Sequence, residues 1–141
     1  MNQLSQRDPR WKNISLGFSS LTIGMAGCLV TCLAMITNTT PFIVNKKLKA
    51  FNGFSGALVL WTSIQKAFPQ LKFIWRAKYY DNNAVLSQIK RNGFCLVECL
   101  TFAGKHWIIC IGNRQMIDPW DGQIKPTWRY PFIGFAAIDK V

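Results

Sequence analysis

The chain reads Ala26-Gly-Cys28-Leu-Val-Thr-Cys-Leu-Ala-Met-Ile36 in its first half, and this stretch is almost wholly apolar. Because no polar face interrupts it, we predict a buried central helix from Cys28 to about Thr37. The preceding segment contains Gly24 and Gly27, which let the backbone approach another molecule closely. Cys28 is therefore expected at the N-terminus of a buried helix, beside an accessible loop.

Two further helices are predicted after this one. Thr40-Pro41 is a good N-cap and first-turn pair for a helix that runs to about Phe51. Ser55 is a suitable cap for the next helix, from Gly56 to about Ala67, and Pro69 closes it. The first half of the chain is thus predicted to be helical.

The second half of the chain is typical of strands, since its aromatic and β-branched residues are bounded by turn residues. One short helix, from Asn82 to about Arg91 with Asp81 as its cap and Gly93 after it, interrupts this pattern. Ala103-Gly104-Lys105 and Gly112-Asn113-Arg114 are predicted to be turns. The predicted strands are Leu71–Tyr80, Phe94–Phe102, His106–Ile111, Gln115–Asp118 and Phe132–Ile138. Helices followed by an antiparallel sheet predict a single α+β domain over residues 1–141.

The composition suits one folded, strongly basic domain. The chain has 141 residues, half of them hydrophobic, so it can bury a core. It carries 17 basic and 6 acidic residues and a net charge of +11, which indicates an anionic polymer as a partner. Nucleic acid, a cell-wall polymer and a membrane surface all fit. The densest cluster, Asn45-Lys-Lys-Leu-Lys49, is short, so a solvated basic surface is the competing interpretation.

Five cysteines argue for reduced thiols rather than a disulfide framework, because the count is odd. Cys28 and Cys32, like Cys95 and Cys99, are separated by three residues. Four positions along a strand span about 13 Å, too far for two ligands of one tetrahedral ion. We therefore expect no metal and no cofactor, and we expect the cysteines other than Cys28 to be buried packing residues.

The N-terminal residues lack the apolar run of a signal peptide. The stretch from Ile23 to Ile36 is too short to span a bilayer, so no transmembrane segment is expected. The sequence thus predicts synthesis in the cytoplasm in a soluble form. To act on a cell wall, the protein would then have to be carried in a virion or released by lysis of the cell.

Three residue types that can act together in nucleophilic catalysis are ordered along the chain. Cys28 is a candidate nucleophile because the positive end of a helix favours a thiolate. His106, the only histidine, begins a predicted strand and can act as the general base. A hairpin would return Asp118 to His106, where a carboxylate can orient the imidazole. Asp121 is the alternative acid, and Asp139 is a weaker one at the chain end.

These residues lie in five ordered motifs: Gln6-Arg-Asp-Pro-Arg-Trp11, Thr22-Ile-Gly-Met-Ala-Gly-Cys28, Ala34-Met35, His106-Trp107 and Asp118-Pro-Trp-Asp-Gly122. Together the motifs resemble the papain-like cysteine peptidases, most closely the bacteriocin-leader-processing (double-glycine) peptidase-like branch. The resemblance implies a papain-like fold, with Cys28 as nucleophile and His106 and Asp118 across a cleft. It also implies that Gln6 serves the oxyanion hole, with Gln3 as a second candidate and Thr22 nearer to the cysteine. The implied substrate is a peptide, such as a cell-wall (peptidoglycan) peptide or a leader peptide.

Two other functions remain open from the sequence. One is a catalytically silent binding or structural module of the same fold, such as a virion or secretion component. The other is a nucleic-acid binder, because aromatic and basic residues alternate in Phe73-Ile-Trp-Arg-Ala-Lys-Tyr-Tyr80 and recur at Trp120 and Trp128 to Tyr130. A half-buried strand with a charged outer face explains the same alternation.

Overall fold

The computed structural model describes all residues from Met1 to Val141 and shows an α+β fold with five α-helices and a six-stranded antiparallel sheet. A 3-10 turn at Thr127–Arg129 precedes the last strand. The helices are α1 (Ile23–Ala26), α2 (Cys28–Ile36), α3 (Pro41–Ala50), α4 (Trp61–Ala67) and α5 (Asn82–Asn92). The strands are β1 (Phe54–Ser55), β2 (Leu58–Val59), β3 (Leu71–Ala77), β4 (Cys95–Thr101), β5 (Gly104–Gly112), β6 (Gln115–Asp118), β7 (Gln123–Pro126) and β8 (Phe132–Lys140).

The main sheet has the order β3-β8-β4-β5-β6-β7, and every neighbouring pair is antiparallel. Strands β4 to β7 follow one another as a meander, whereas the last strand, β8, inserts between β3 and β4. Strands β1 and β2 form a separate two-stranded hairpin. The meander brings the start of β5 close to the end of β6, at one end of the sheet.

The central helix α2 is buried along its whole length except at Cys28. Its apolar side chains, such as Leu33, pack with Leu96 and Ile109 of the sheet in the larger of two cores. A second core on the sheet includes Val85 of α5 and Cys99 of β4. The expected arrangement of helices packed on an antiparallel sheet is therefore confirmed. Only the first residue of α2, Cys28, reaches the surface.

The predicted helix beginning at Gly56 is wrong in its first turn. Ser55 pairs with Leu58 in the β1–β2 hairpin, and Gly56 has a φ of +61°, which an α-helix cannot contain. The helix begins only at Trp61. Serine suits helix starts and hairpin turns equally well, so the local sequence does not distinguish a cap from a turn at Ser55.

Other predicted boundaries shift by smaller amounts. The strand predicted to Tyr80 ends at Ala77, because the chain then turns toward α5 and the Tyr80 hydroxyl donates to Asn82 Oδ1 at 2.9 Å. Gly104 and Lys105 belong to β5, since Thr101 pairs with Gly104 and leaves a two-residue turn. Strand β7 and the short helix α1 were not predicted. The caps Thr40 and Asp81 and the left-handed Gly93 are confirmed, as are their helices.

No single helix is long and apolar enough to cross a membrane. Helices α2 and α3 reach the required length and composition only when taken together, and they are bent by 101° at the break between them.

Candidate active site

Cys28 is the first residue of α2, directly after the short helix α1 and Gly27. A Cβ atom on Gly27 would lie 2.5 Å from the Ile23 carbonyl oxygen, so only glycine fits this junction. The Thr22 side chain caps α1 by accepting from the Met25 N–H. These local features set the position at which the thiol emerges, and Cys28 alone among the five cysteines is partly exposed.

His106 and Asp118 are brought together by the β5–β6 hairpin. Ile109 pairs with Ile117, and the turn between the strands contains Asn113 and Arg114 with φ values of 54° and 57°. His106 Nε2 lies 2.7 Å from Asp118 Oδ1. Because a carboxylate can only accept, Nε2 carries the proton, and Nδ1 is the ring nitrogen that the carboxylate leaves free.

Asp118 is completely buried and accepts hydrogen bonds on both of its oxygens. Oδ1 accepts from His106 and from the Trp120 backbone N–H at 2.9 Å. Oδ2 accepts from Lys125 Nζ and from the Tyr130 hydroxyl, each at 2.7 Å. A carboxylate held by four donors has little freedom to rotate, so its orientation toward the imidazole is set by the fold.

The pKa values of this group follow from its contacts. Burial is the largest influence on His106 and lowers its pKa, but hydrogen bonding to Asp118 and to Cys28 outweighs burial and raises the pKa to about 9. Burial likewise raises the pKa of Asp118, but the donors His106, Lys125 and Tyr130 outweigh it and hold the pKa well below its usual range. The arrangement thus favours an imidazolium next to a carboxylate at neutral pH.

The other two candidate acids lie elsewhere. Asp121 Oδ2 pairs with Lys125 at 3.0 Å, and its Oδ1 accepts from the Gln123 N–H. Asp139 pairs with Arg91 at 3.1 Å. Neither carboxylate contacts His106, so the structure brings Asp118 alone of the three to the imidazole.

Gln6 is buried beside the segment that precedes Cys28. Its Nε2 donates to the Gly24 carbonyl oxygen at 3.2 Å, and its backbone N–H donates to the Pro119 carbonyl oxygen at 2.7 Å. Its Oε1 is buried without a hydrogen-bond partner. Gln3 is exposed, and the Thr22 hydroxyl already caps α1. Gln6 is therefore the side-chain amide that the fold holds between the Cys28 segment and the Asp118 turn.

The remaining four cysteines are buried, as the apolar sequence around them predicted. Burial raises the pKa of Cys95 and of Cys99 to about 12 and raises those of Cys32 and Cys110 as well. No group of three or more His, Cys, Asp or Glu side chains is placed to hold a metal ion. The four buried thiols are packing residues.

Lys125 and Tyr130 were not predicted to belong to the site. Lys125 lies opposite Met116 in β7, the strand that the sequence analysis missed, and Tyr130 follows the 3-10 turn before β8. Lys125 could have been found from the sequence only if β7 had been predicted to pair with β6. In that pairing, Lys125 lies on the same face of the sheet as Asp118.

Comparisons of this chain with protein-family models, with curated proteins and with solved structures find no match.

Proposed function

We propose that this protein is a thiol-dependent hydrolase of the papain-like type that cleaves a peptide or amide bond through Cys28, His106 and Asp118. One observation carries the proposal. His106 is bound by a buried carboxylate at 2.7 Å, and the partly exposed thiol of Cys28, at a helix start, is close enough to raise its pKa as well. A packing histidine needs neither a buried carboxylate nor an accessible thiol.

In the proposed reaction, His106 takes the Cys28 proton, which gives a thiolate and an imidazolium. The thiolate attacks the substrate carbonyl carbon, a C–S bond forms, and an electron pair moves onto the carbonyl oxygen. Donors for this oxyanion are the Cys28 backbone N–H at the start of α2 and the side-chain amide of Gln6.

Collapse of this intermediate breaks the C–N bond, and the His106 proton passes to the leaving amine. The acyl group is then bound to Cys28 as a thioester. His106, now neutral, takes a proton from water as the water oxygen attacks the thioester carbonyl. The C–S bond breaks, the acid product leaves, and the thiolate–imidazolium pair is restored.

The substrate class rests on the resemblance and the charge. A cell-wall peptide and a leader peptide are the two substrates proposed. Release of new amino groups from purified peptidoglycan, and cleavage of a leader peptide, are the activities to measure. Either must be lost in Cys28→Ala, because hydrolysis that survives this substitution does not use Cys28 as nucleophile.

Selective alkylation tests the proposal without knowledge of the substrate. At pH 6 an ordinary thiol with a pKa of about 8.5 is less than about 1% ionised. We expect iodoacetamide to alkylate Cys28 at least about tenfold faster than the cysteine of an unstructured peptide at this pH, because His106 can take the Cys28 proton as the sulfur attacks. Peptide mass mapping locates the label.

The buried cysteines are the internal control for that experiment. Cys95 and Cys99, with pKa values of about 12, should stay unlabelled over the same time. Alkylation of Cys28 no faster than that of the free peptide thiol would contradict an activated nucleophile. It would support instead a silent module of this fold.

A second candidate function, binding of an anionic polymer, is favoured by the unpaired positive charge. Only Arg10, Arg76, Arg91 and Lys125 of the 17 lysines and arginines form ion pairs with acidic side chains. If nucleic acid is the polymer, affinity for duplex DNA should fall steeply between about 50 and 200 mM salt. An affinity without salt dependence would exclude this function, and a filter-binding titration measures it.

A further inference from the structure

An open cleft of about 290 Å³ lies beside the candidate active site. Met25 is its one hydrophobic lining residue, so the cleft suits a polar ligand. The lining residues are Arg7, Lys12, Asn13, Thr22, Gly24 and Met25.

The cleft is connected to both halves of the active site. On one side, Gly24 accepts a hydrogen bond from Gln6 Nε2 at 3.2 Å and lies four residues before Cys28. On the other side, the Arg7 guanidinium stacks 4.5 Å from the centroid of a Trp120 ring. The Trp120 backbone N–H donates to Asp118 Oδ1. The cleft therefore adjoins the segment that precedes Cys28 and, through Arg7 and Trp120, the turn that follows Asp118.

The two cations in the cleft are not neutralised by the protein. Neither Arg7 nor Lys12 forms an ion pair. The nearest acidic residue in sequence, Asp8, is held by Arg10, whose Nη2 lies 2.9 Å from Asp8 Oδ2. A second bond joins Arg10 Nε to Asp8 Oδ1 at 3.1 Å. Arg7 and Lys12 thus leave positive charge that a bound group can neutralise.

The backbone around Gly24 holds Lys12 at the cleft. The Gly24 N–H donates to the Lys12 carbonyl oxygen at 2.9 Å. A Cβ atom at Gly24 would lie 2.9 Å from both the Cβ and the carbonyl oxygen of Lys12. Only glycine allows this approach, so the position of Lys12 is built into the fold.

We propose that this cleft is a substrate subsite for a carboxylate, and that the hydrolase acts on a peptide with an acidic residue or free carboxylate near the cleaved bond. The assignment rests on the proposed function. The guanidinium of Arg7 can hold a carboxylate by paired N–H donors, and Lys12 adds a second positive charge. The substrate class is therefore an acidic peptide rather than a neutral or basic one.

Matched electrophilic peptides test the subsite. Chloroacetyl-Gly-Glu-amide and chloroacetyl-Gly-Gln-amide have the same shape and differ in one negative charge. Each alkylates a thiolate by forming a C–S bond and releasing chloride. At low salt, we expect the acidic probe to alkylate Cys28 about two- to tenfold faster than the neutral probe, since each exposed charge pair contributes modestly. Arg7→Met and Lys12→Met should each reduce this ratio toward one.

Lys90→Met is the control, because it removes the same charge from an exposed position on α5. It should leave the ratio unchanged. Equal rates for the two probes, with Cys28 still selectively alkylated, would overturn the subsite and leave the proposed hydrolase intact. If the ratio of the two alkylation rates fell equally in all three variants, the subsite would also be overturned, because net charge would then explain the preference for the acidic probe. Failure of both probes to alkylate Cys28 selectively would overturn the hydrolase and the subsite together.

Discussion

His106→Ala should abolish hydrolysis, lowering turnover by about a hundred- to ten-thousandfold, while the domain stays folded. The chain has no second histidine that could take over proton transfer. General acid–base catalysis contributes rate factors of this size. Alkylation of Cys28 at pH 6 should also slow by at least about tenfold, because no imidazole is present to take the thiol proton. Hydrolysis and iodoacetamide kinetics are the two measurements.

The fold should survive this substitution because Asp118 keeps three donors, from Trp120, Lys125 and Tyr130. Circular dichroism and thermal unfolding check this point. Lys105→Ala, one residue away in β5 and exposed, is the matched control and should retain activity. Activity within about threefold of wild type in His106→Ala would show that another group acts as the base.

Asp118→Asn should lower the pKa of His106 clearly below its value of about 9. The substitution removes the negative charge that stabilises the imidazolium, whereas burial, which lowers the pKa, stays. Turnover should fall by about a thousandfold or more, because the imidazole loses its fixed tautomer and orientation. The chain has one histidine, so its ring C–H signals in a proton NMR titration report this pKa directly.

The same shift predicts how stability depends on pH. His106 has a raised pKa in the folded protein, so its contribution is fully present below pH 6.5 and is lost as the pH rises to about 9. A shift of this size corresponds to at most about 3 kcal/mol. The pKa of Asp118 is lowered, so its own contribution is present above its ordinary value of 3.8 and is lost in stronger acid. Wild type and Asp118→Asn should therefore differ more in stability at pH 6 than at pH 9.

Lys125→Met is the matched control for this titration because it should shift the pKa of His106 in the opposite direction. Lys125 Nζ lies 2.7 Å from Asp118 Oδ2 and partly neutralises the carboxylate that His106 faces. Without this cation, the imidazolium should be more stable, and the pKa of His106 should rise. A pKa of His106 that does not move in Asp118→Asn would show that the 2.7 Å contact does not control its charge.

Much of the fold follows from local sequence patterns. The stretch after Cys28 is apolar on all sides, so it is stable only inside a core, and α2 is buried in the core of the structure. Caps at Thr40 and Asp81 predicted α3 and α5 because their side chains replace missing backbone acceptors at helix starts. The β1–β2 hairpin was missed, since Ser55-Gly56 suits a turn and a helix start alike. Strand β7 was missed because four residues carry too weak a pattern.

The chemical candidates also followed from residue type and order. One cysteine at a predicted helix start, one histidine and a hairpin-linked aspartate predict Cys28, His106 and Asp118 as a candidate set. The contact between His106 and Asp118 needs only the β5–β6 hairpin, which is a short-range feature. The sequence left Asp121 as an alternative to Asp118 as the acid. In the structure, Asp118 bonds His106, whereas Asp121 accepts from the Gln123 N–H.

Long-range packing decided the rest. The second oxygen of Asp118 is held by Lys125 and Tyr130, which reach it through β7 and the connection to β8. Gln6 and Arg7 come to the site because the N-terminal segment packs against the turn after Asp118, where the Gln6 N–H bonds Pro119. Local sequence encodes propensity and periodicity, whereas these contacts depend on which distant surfaces share the same buried volume. The order of residue types therefore predicts the candidate groups, and only the packed structure shows which neighbours hold them in place.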